Sequence, residues 1–228
     1  MFEALNGLMA HPASLRPPLG LVPIGTGNAF SRDLGLRAGD WKLAIERLLQ
    51  GNVRDVDIGQ LDCAGGRHYF HNIVGQGFVV AAGTTANRLK HMGKSAYTLA
   101  ALWQTLQLPS SYLRLRIDDQ LIEQDSLLLE IANSRYTGTN FLIAPAARLD
   151  DGLLDLVLVR RLSRLRLLRL FHTIYSGEHI HYPEVTVLQG REFEILEPAR
   201  QPLMIDGELI GETPARIRCL PAGLKMLA

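Results

Sequence analysis

Three short stretches carry residue types that could do chemistry. In Pro23-Ile24-Gly25-Thr26-Gly27-Asn28-Ala29-Phe30, a Gly-Thr-Gly-Asn turn joins an apolar run to a helical one. Such a turn points backbone N–H groups at one spot; glycine lets a phosphate approach the main chain, Thr26 adds a hydroxyl donor and Asn28 can tie the turn together. That is anion chemistry, although the same residues also make an ordinary strand-to-helix turn. In Asp150-Asp151-Gly152-Leu153-Leu154-Asp155, two adjacent acids at a tight turn offer oxygen ligands to a hard cation, or form a solvated Asp-Gly turn. In Ile205-Asp206-Gly207-Glu208, two carboxylates around a glycine could supply a general base and a metal or phosphate contact. A hairpin turn accounts for those four residues equally well.

Other polar residues say less. His68, His71, His172, His179 and His181 have no metal-site spacing, and Lys90, His91 and Lys94 suit either a cleft entrance or a solvated loop. Cys63 and Cys219 are the only cysteines and have no CxxC or ligand spacing, which fits reduced thiols in a cytoplasmic setting. Arg160, Arg161, Arg164, Arg166 and Arg169 cluster around a helical segment, Ser163–Tyr175, whose apolar face would hold Leu165, Leu167, Leu168, Leu170, Phe171 and Ile174. These arginines are either a solvated face or a patch for anionic headgroups.

The elements that must position these residues follow from periodicity. Residues 2–9 have helical spacing, Leu19–Ile24 reads as a short buried strand, and Ala29–Leu34 resumes helical spacing until Gly35. A helix is predicted from an Asp40 N-cap to Leu49, ending at Gly51. From Val53 the pattern is β-like: Val53–Leu61, His68–Val74, Tyr112–Ile117, Leu121–Ala132, Leu153–Val159, Val185–Leu188, Phe193–Leu196 and Ile217–Leu220, interrupted by helices at Lys94–Leu108 and Ser163–Tyr175. Residues 1–36 therefore read as a fragment of an open α/β layer and 37–220 as a β-rich domain with two packed helices, followed by a tail at 221–228.

Composition bounds the function. The 228 residues are 47% hydrophobic and 21% charged, an ordinary globular balance that excludes a disordered or fibrous chain. With 24 Lys+Arg against 23 Asp+Glu, no global field draws nucleic acid. The start, Met-Phe-Glu-Ala-Leu-Asn, lacks the basic residues of a signal peptide, and apolar runs such as Leu153–Val159, broken by Asp155, are far short of a membrane span.

Taken jointly, the motifs are more specific. The pattern Pro-x-Gly-Thr-x-Asn-x-Phe-x-Arg-x-Leu-Gly from Pro23 to Gly35 resembles the nucleotide-binding motif of the diacylglycerol kinase catalytic-domain family, and most closely its soluble bacterial lipid kinases. Further matches are Phe70-x-Asn72-x-x-Gly75-x-Gly77-Phe78, Ala132-Asn133, Ala144-Pro145-Ala146, Asp151-Gly152-x-Leu154-Asp155, Gly177-x-His179 and Ile205-Asp206-Gly207-Glu208. The resemblance implies a partial phosphofructokinase/NAD-kinase-like N-lobe followed by a β-sandwich-like C-terminal lobe. It also implies transfer of the γ-phosphoryl group of ATP to a lipid hydroxyl with Mg²⁺. By the same resemblance Gly25, Thr26, Gly27 and Asn28 bind nucleotide, and Asp151 with the backbone oxygens of Arg148 and Leu153 holds a structural Mg²⁺. Glu208 is the proton acceptor, with Asp206 as a second candidate.

The chain departs from the pattern in three places. The family's Gly-Gly-Asp-Gly-Thr loop would end where Met1 stands, so the expectation is an incomplete nucleotide lobe, through a fragment, a misassigned start or a truncated relative. Ala29 stands where many members have Asp, as in the sphingosine and ceramide kinase branch, and Val79-Val80 stand where many have an acid. Both changes remove carboxylates near the expected cleft and leave a diacylglycerol-like and a sphingoid acceptor both open. Expected partners are the lipid, an anionic membrane surface met through the arginine cluster, and a second copy of the chain, with no nucleic acid. The expected location is cytoplasmic and peripheral at the membrane. Two other readings are a catalytically inactive lipid- or nucleotide-binding module of the same fold, and a kinase for a soluble acceptor.

Overall fold

The computed structural model describes residues 1–25, 27–88, 110–138 and 140–227. It is a mixed α/β, strand-rich fold. Helix α1 (Phe2–Met9) leads through a loop to strand β1 (Leu19–Gly20), and helices α2 (Ala29–Asp33) and α3 (Trp41–Gln50) follow. Gly51 closes α3 in the left-handed conformation (φ 72°), the stop expected of a glycine just past a helix. The long strand β2 (Val53–Cys63) then opens the β-rich part, with β3 (Gly66–Phe70), β4 (Ile73–Gly77), α4 (Phe78–Arg88), β5 (Ser111–Ile117) and β6 (Gln120–Ala132). Two-residue strands β7 (Tyr136–Thr137) and β8 (Phe141–Leu142) pair with each other. Next come β9 (Leu154–Arg160), α5 (Arg164–Thr173), β10 (Val185–Gly190), β11 (Glu192–Glu197), β12 (Pro202–Ile205), β13 (Glu208–Glu212) and β14 (Ala215–Leu227).

Twelve of these strands form one sheet, whose main path runs β13-β12-β4-β6-β5-β11-β14-β2-β3. The sheet branches at β6. Its first half pairs with β5, while Leu128–Ala132 lie between β4 and β9. Alternation along the strands sorts side chains onto two faces. Leu129 and Ile131 join Phe70, Val74, Leu115, Phe193 and Ile205 in the main core, whereas Ala132 and Val157 pack with α5 through Leu167 and Leu170. A third cluster joins α1 and α2 to the sheet through Leu5, Met9, Phe30, Leu34, Val56, Ile58 and Met226.

Several expectations need correction. The apolar run at Leu19–Ile24 is a strand only at Leu19–Gly20, where it pairs in parallel with Met226–Leu227 of β14; Ile24 is 82% exposed. No described strand covers the other edge of β1, so burial fades along the run. The single run His68–Val74 is two strands split at His71-Asn72. Ile217–Leu220 is the centre of a strand that continues past residue 220 through an irregularity at 220–224. Helix α4 was not expected as an element, and strands β12 and β13 are the arms of the hairpin turn that Ile205-Asp206-Gly207-Glu208 allowed. On α5, Leu167 and Leu170 are buried, but Leu165 and Leu168 face solvent beside the arginines. The expected helix at Lys94–Leu108, together with Thr26, Lys90, His91 and Lys94, lies outside the described residues. Among the described residues no helix is long and apolar enough to cross a membrane.

Candidate functional site

A cleft of about 540 Å³ opens where the first turn of the chain faces the β12–β13 hairpin. Gly27, Asn28, Ala29 and Phe30 line one wall, and Asp206, Gly207 and Glu208 line another. His71, Gly75, Val79, Glu130 and Met204 also line it. Two sequence-selected stretches thus share a crevice despite lying some 180 positions apart in the chain.

The Gly25–Asn28 turn is shaped by Asn28. Its backbone is left-handed (φ 50°), a conformation asparagine tolerates better than most residues. Its side-chain amide donates to the Gly25 carbonyl (2.5 Å) and more weakly to that of Pro23 (3.4 Å). Asn28 therefore spends its donors on closing the turn. Helix α2 is anchored by Asp33, which accepts hydrogen bonds from the backbone N–H and guanidinium of Arg135. Burial raises the Asp33 pKa, and the Arg135 hydrogen bonds and charge oppose that rise. Arg32 adds a hydrogen bond to Asn140 and stacks its guanidinium 5.2 Å from the Tyr136 ring centre. The turn is thereby held against the 135–138 segment.

Opposite stands the hairpin. Asp206 and Gly207 both have positive φ (50° and 94°), as a two-residue type I′ turn requires. The Asp206 carboxylate is almost fully buried and accepts the backbone N–H groups of His71 (3.0 Å), Asn72 (3.0 Å) and Ile73 (2.9 Å). His71 Nδ1 lies 2.6 Å from the same carboxylate. Asp206 thus locks the hairpin onto the β3–β4 turn. Glu208 is exposed and opens β13 at the cleft. The matched Asn72 and Asn133 are structural in the same sense. Asn72 Oδ1 accepts from the Ser134 hydroxyl, and Asn133 Nδ2 donates to the carbonyls of Asp57 (2.8 Å) and His71 (3.0 Å).

Sequence reasoning gave Phe30 no role of its own and passed over Glu130. Phe30 packs edge-on against His71, centroids 4.7 Å apart, across the junction of the two walls. Glu130 is 2% exposed, and burial alone pushes its pKa up to about 8. An acid inside Leu127-Leu128-Leu129-Glu130-Ile131-Ala132 was the available signal.

Arg148, Asp151 and Leu153 do not line this cleft. Asp151 Oδ1 accepts from the Leu153 N–H (3.1 Å) within its own turn. Nearby Asp57 is buried, accepting from the N–H groups of Gly152 (2.7 Å) and Ala222 (2.8 Å). Burial, with Asp151 contributing, pushes Asp155 up to about 6, while burial together with Asp57 and Asp151 pushes the Cys219 thiol up to about 12. By the resemblance, the Asp151 carboxylate with the main-chain oxygens of Arg148 and Leu153 would be a hard, all-oxygen donor set, while among the described residues no group of three or more His, Cys, Asp or Glu side chains could hold a metal. That donor set fits Mg²⁺.

Comparison with known proteins identifies the family. Residues 72–228 match the model described as "YegS C-terminal NAD kinase beta sandwich-like domain", and residues 1–61 match "Diacylglycerol kinase catalytic domain". A diacylglycerol kinase of Mycobacterium tuberculosis is 33% identical over 213 residues, covering 92% of this chain and 69% of that protein. A Bacillus subtilis diacylglycerol kinase is 28% identical over 214 residues, covering 93% and 69%. The crystal structure of a diacylglycerol kinase from Bacillus anthracis shares the fold at a TM-score of 0.71 and 20% identity, covering 99% of this chain and 71% of that one. Sequence, fold and cleft lead to one assignment: this chain belongs to the diacylglycerol kinase family, with a β-sandwich-like C-terminal domain.

Proposed function

We propose that the chain acts in ATP-dependent phosphorylation of a lipid hydroxyl, with the two walls of the cleft divided between nucleotide and acceptor. The observation that carries this reading is the shared crevice between Gly27-Asn28 and Glu208. The main-chain N–H groups of the Gly25–Asn28 turn hold the phosphates of ATP. Glu208 accepts the proton of the lipid hydroxyl as its oxygen bonds to the γ-phosphorus and the bond to the β-phosphate oxygen breaks, releasing ADP. Phosphoryl transfer depends mainly on positioning and charge neutralisation, so the base contributes a modest share. Asp206 is a positioning residue, because its oxygens are taken by three backbone amides and it holds the hairpin that carries Glu208. A Mg²⁺ ion bound by Asp151 and the main-chain oxygens of Arg148 and Leu153 would neutralise the charge gathered there with Asp57 and Asp155.

The lipid would be met at a membrane surface. Leu165 (61% exposed) and Leu168 (40%) flank Arg164 and Arg169 on the outer side of α5 and can enter the headgroup layer. Arg166 is withdrawn from that surface by its bidentate pairing with Glu184 (2.9 and 3.2 Å). The cytoplasmic face of the membrane, rich in anionic lipid, is the surface this charge suits.

A second reading is a lipid- or nucleotide-binding module of the same fold without turnover. The test uses γ-labelled ATP and Mg²⁺ with vesicles containing diacylglycerol, vesicles containing a sphingoid base, or soluble alcohols. Label in a lipid product is the expected result, with Glu208→Ala lowering kcat by about 10²–10⁴-fold and leaving KM nearly unchanged. Unchanged turnover in Glu208→Ala removes Glu208 from the reaction. Label only in water-soluble product overturns the lipid acceptor, and nucleotide binding without transfer selects the second reading.

A further inference from the structure

Glu130 has no part in the reaction just described, yet it lies on the floor of the cleft. It occupies a row that crosses four strands, Met204 on β12, Gly75 on β4, Glu130 on β6 and Val157 on β9. The carboxyl group is buried and its Oε2 has no hydrogen-bond partner among the described residues. It borders the cleft beside Gly75. A Cβ at that position would come within 3.5 Å of Glu130 Cγ and 2.5 Å of Val79 Cγ1. The surrounding wall is apolar, with Val79 and Met204 packed together beside it.

Burial acts alone on this acid, so it is largely neutral at pH 7, with a pKa of about 8. A neutral carboxyl group offers one O–H donor. Covering that donor with hydrocarbon leaves it unsatisfied at a real cost, and bringing a phosphate anion to it places an acceptor in poorly solvating surroundings. Its natural complement is an uncharged acceptor oxygen carried by an otherwise apolar ligand. Glu130 is three strand spacings from β13, about 14 Å, so it reaches a different atom of the acceptor from the one facing Glu208.

We propose that Glu130 is a specificity-determining residue of the lipid site, donating its carboxyl O–H to the carbonyl oxygen of an acyl ester in the acceptor while the acyl chain lies against Val79 and Met204. The inference deepens the lipid-kinase reading and rests on it. It favours an ester-bearing neutral lipid over a sphingoid base, whose ammonium would demand an ionised Glu130.

The test is equilibrium binding of three short-chain probes to the intact chain: dioctanoylglycerol, its dioctyl ether analogue lacking the carbonyls, and a short sphingoid base. The wild type is expected to bind the ester about fivefold more tightly than the ether, the worth of one neutral hydrogen bond. Glu130→Gln keeps an N–H donor and retains the preference; Glu130→Leu and Glu130→Met lose it, with thermal unfolding confirming that each variant is folded. Equal binding of ester and ether by the wild type, or an undiminished preference in both apolar variants, overturns the proposal. So does tighter binding of the sphingoid base that Glu130→Gln abolishes, because that marks a carboxylate counter-ion. Binding of none of the three probes strikes instead at the lipid acceptor itself, a result distinct from failure of the Glu130 assignment.

Discussion

A carboxylate whose lone pairs are already taken is a poor proton acceptor, and this separates Asp206 from Glu208 although they flank the same glycine. Asp206 accepts three backbone N–H groups and has Nδ1 of His71 2.6 Å away; Glu208 is exposed at the cleft. Removing the Asp206 side chain leaves three partly buried amides without an acceptor. Asp206→Ala should therefore lower unfolding stability by about 3 kcal/mol or more, whereas Glu208→Ala should stay within about 0.5 kcal/mol of the wild type. Urea unfolding of both variants measures the difference; equal midpoints would return Asp206 to the list of candidate bases. The sequence could select this pair but not divide it, because Ile205-Asp206-Gly207-Glu208 says nothing about whose amides face which carboxylate. Asn28 was more legible, since asparagine after glycine in a turn has few other uses. Glu130 was illegible for the opposite reason. In a run of apolar residues, alternation tells which side chains share a face but not which face looks onto a cleft.

Among the elements, those with local signals were recovered and those made by tertiary burial were not. Helix α3 begins after Asp40 and stops at Gly51, both readable from residue type. Helix α4 starts directly after Gly77, and its first turn is Phe78-Val79-Val80, residues of modest helix propensity. Burial of Phe78, Val79, Val80 and Ala82 against the sheet overrides that preference. Strand β12 hides in a Pro-led four-residue run that is buried only because it lies between β4 and β13. The contact between α4 and the sheet depends on the missing side chain at Gly75. Gly75→Ala should cost about 1–3 kcal/mol, because Val79 must leave its rotamer to admit the methyl group, and the cleft should narrow. The readouts are thermal unfolding together with dioctanoylglycerol binding. A variant as stable as the wild type with full affinity would show that β4 and α4 can separate at no cost.

At the scale of the whole molecule, two buried carboxyl groups bear on stability around neutral pH. The folded chain holds Glu130 at about 8 and Asp155 at about 6, against ordinary values of 4.5 and 3.8. Burial is the first cause in both cases; Gln189 opposes it at Asp155 and Asp151 adds to it. Across Glu130, the paired strands present Gly75 and Val157, neither of them charged. Because the folded state keeps protons that the unfolded chain has released, these groups contribute fully below about pH 4, and their contribution is lost as pH rises through 6 and then 8. For Glu130 the loss is on the order of 5 kcal/mol. His179 works the other way: burial holds its pKa below 6.5, so its contribution disappears as pH falls through the imidazole range. The urea midpoint should thus fall between pH 6 and pH 8, and Glu130→Gln should flatten that decline. A variant with the wild-type slope would show that water already reaches the carboxyl group.

The parallel pairing of Leu19–Gly20 with Met226–Leu227 also fixes an order of events during synthesis. The stretch leading into the Gly25–Asn28 turn leaves the ribosome early, but its partner strand is made some two hundred residues later. Until then the turn has only the 135–138 segment to lie on and no sheet edge beside it, so a nascent chain can gather its middle strands while the first wall of the crevice waits for β14. Ligand capture is therefore a property the polypeptide acquires late, after translation has passed residue 226.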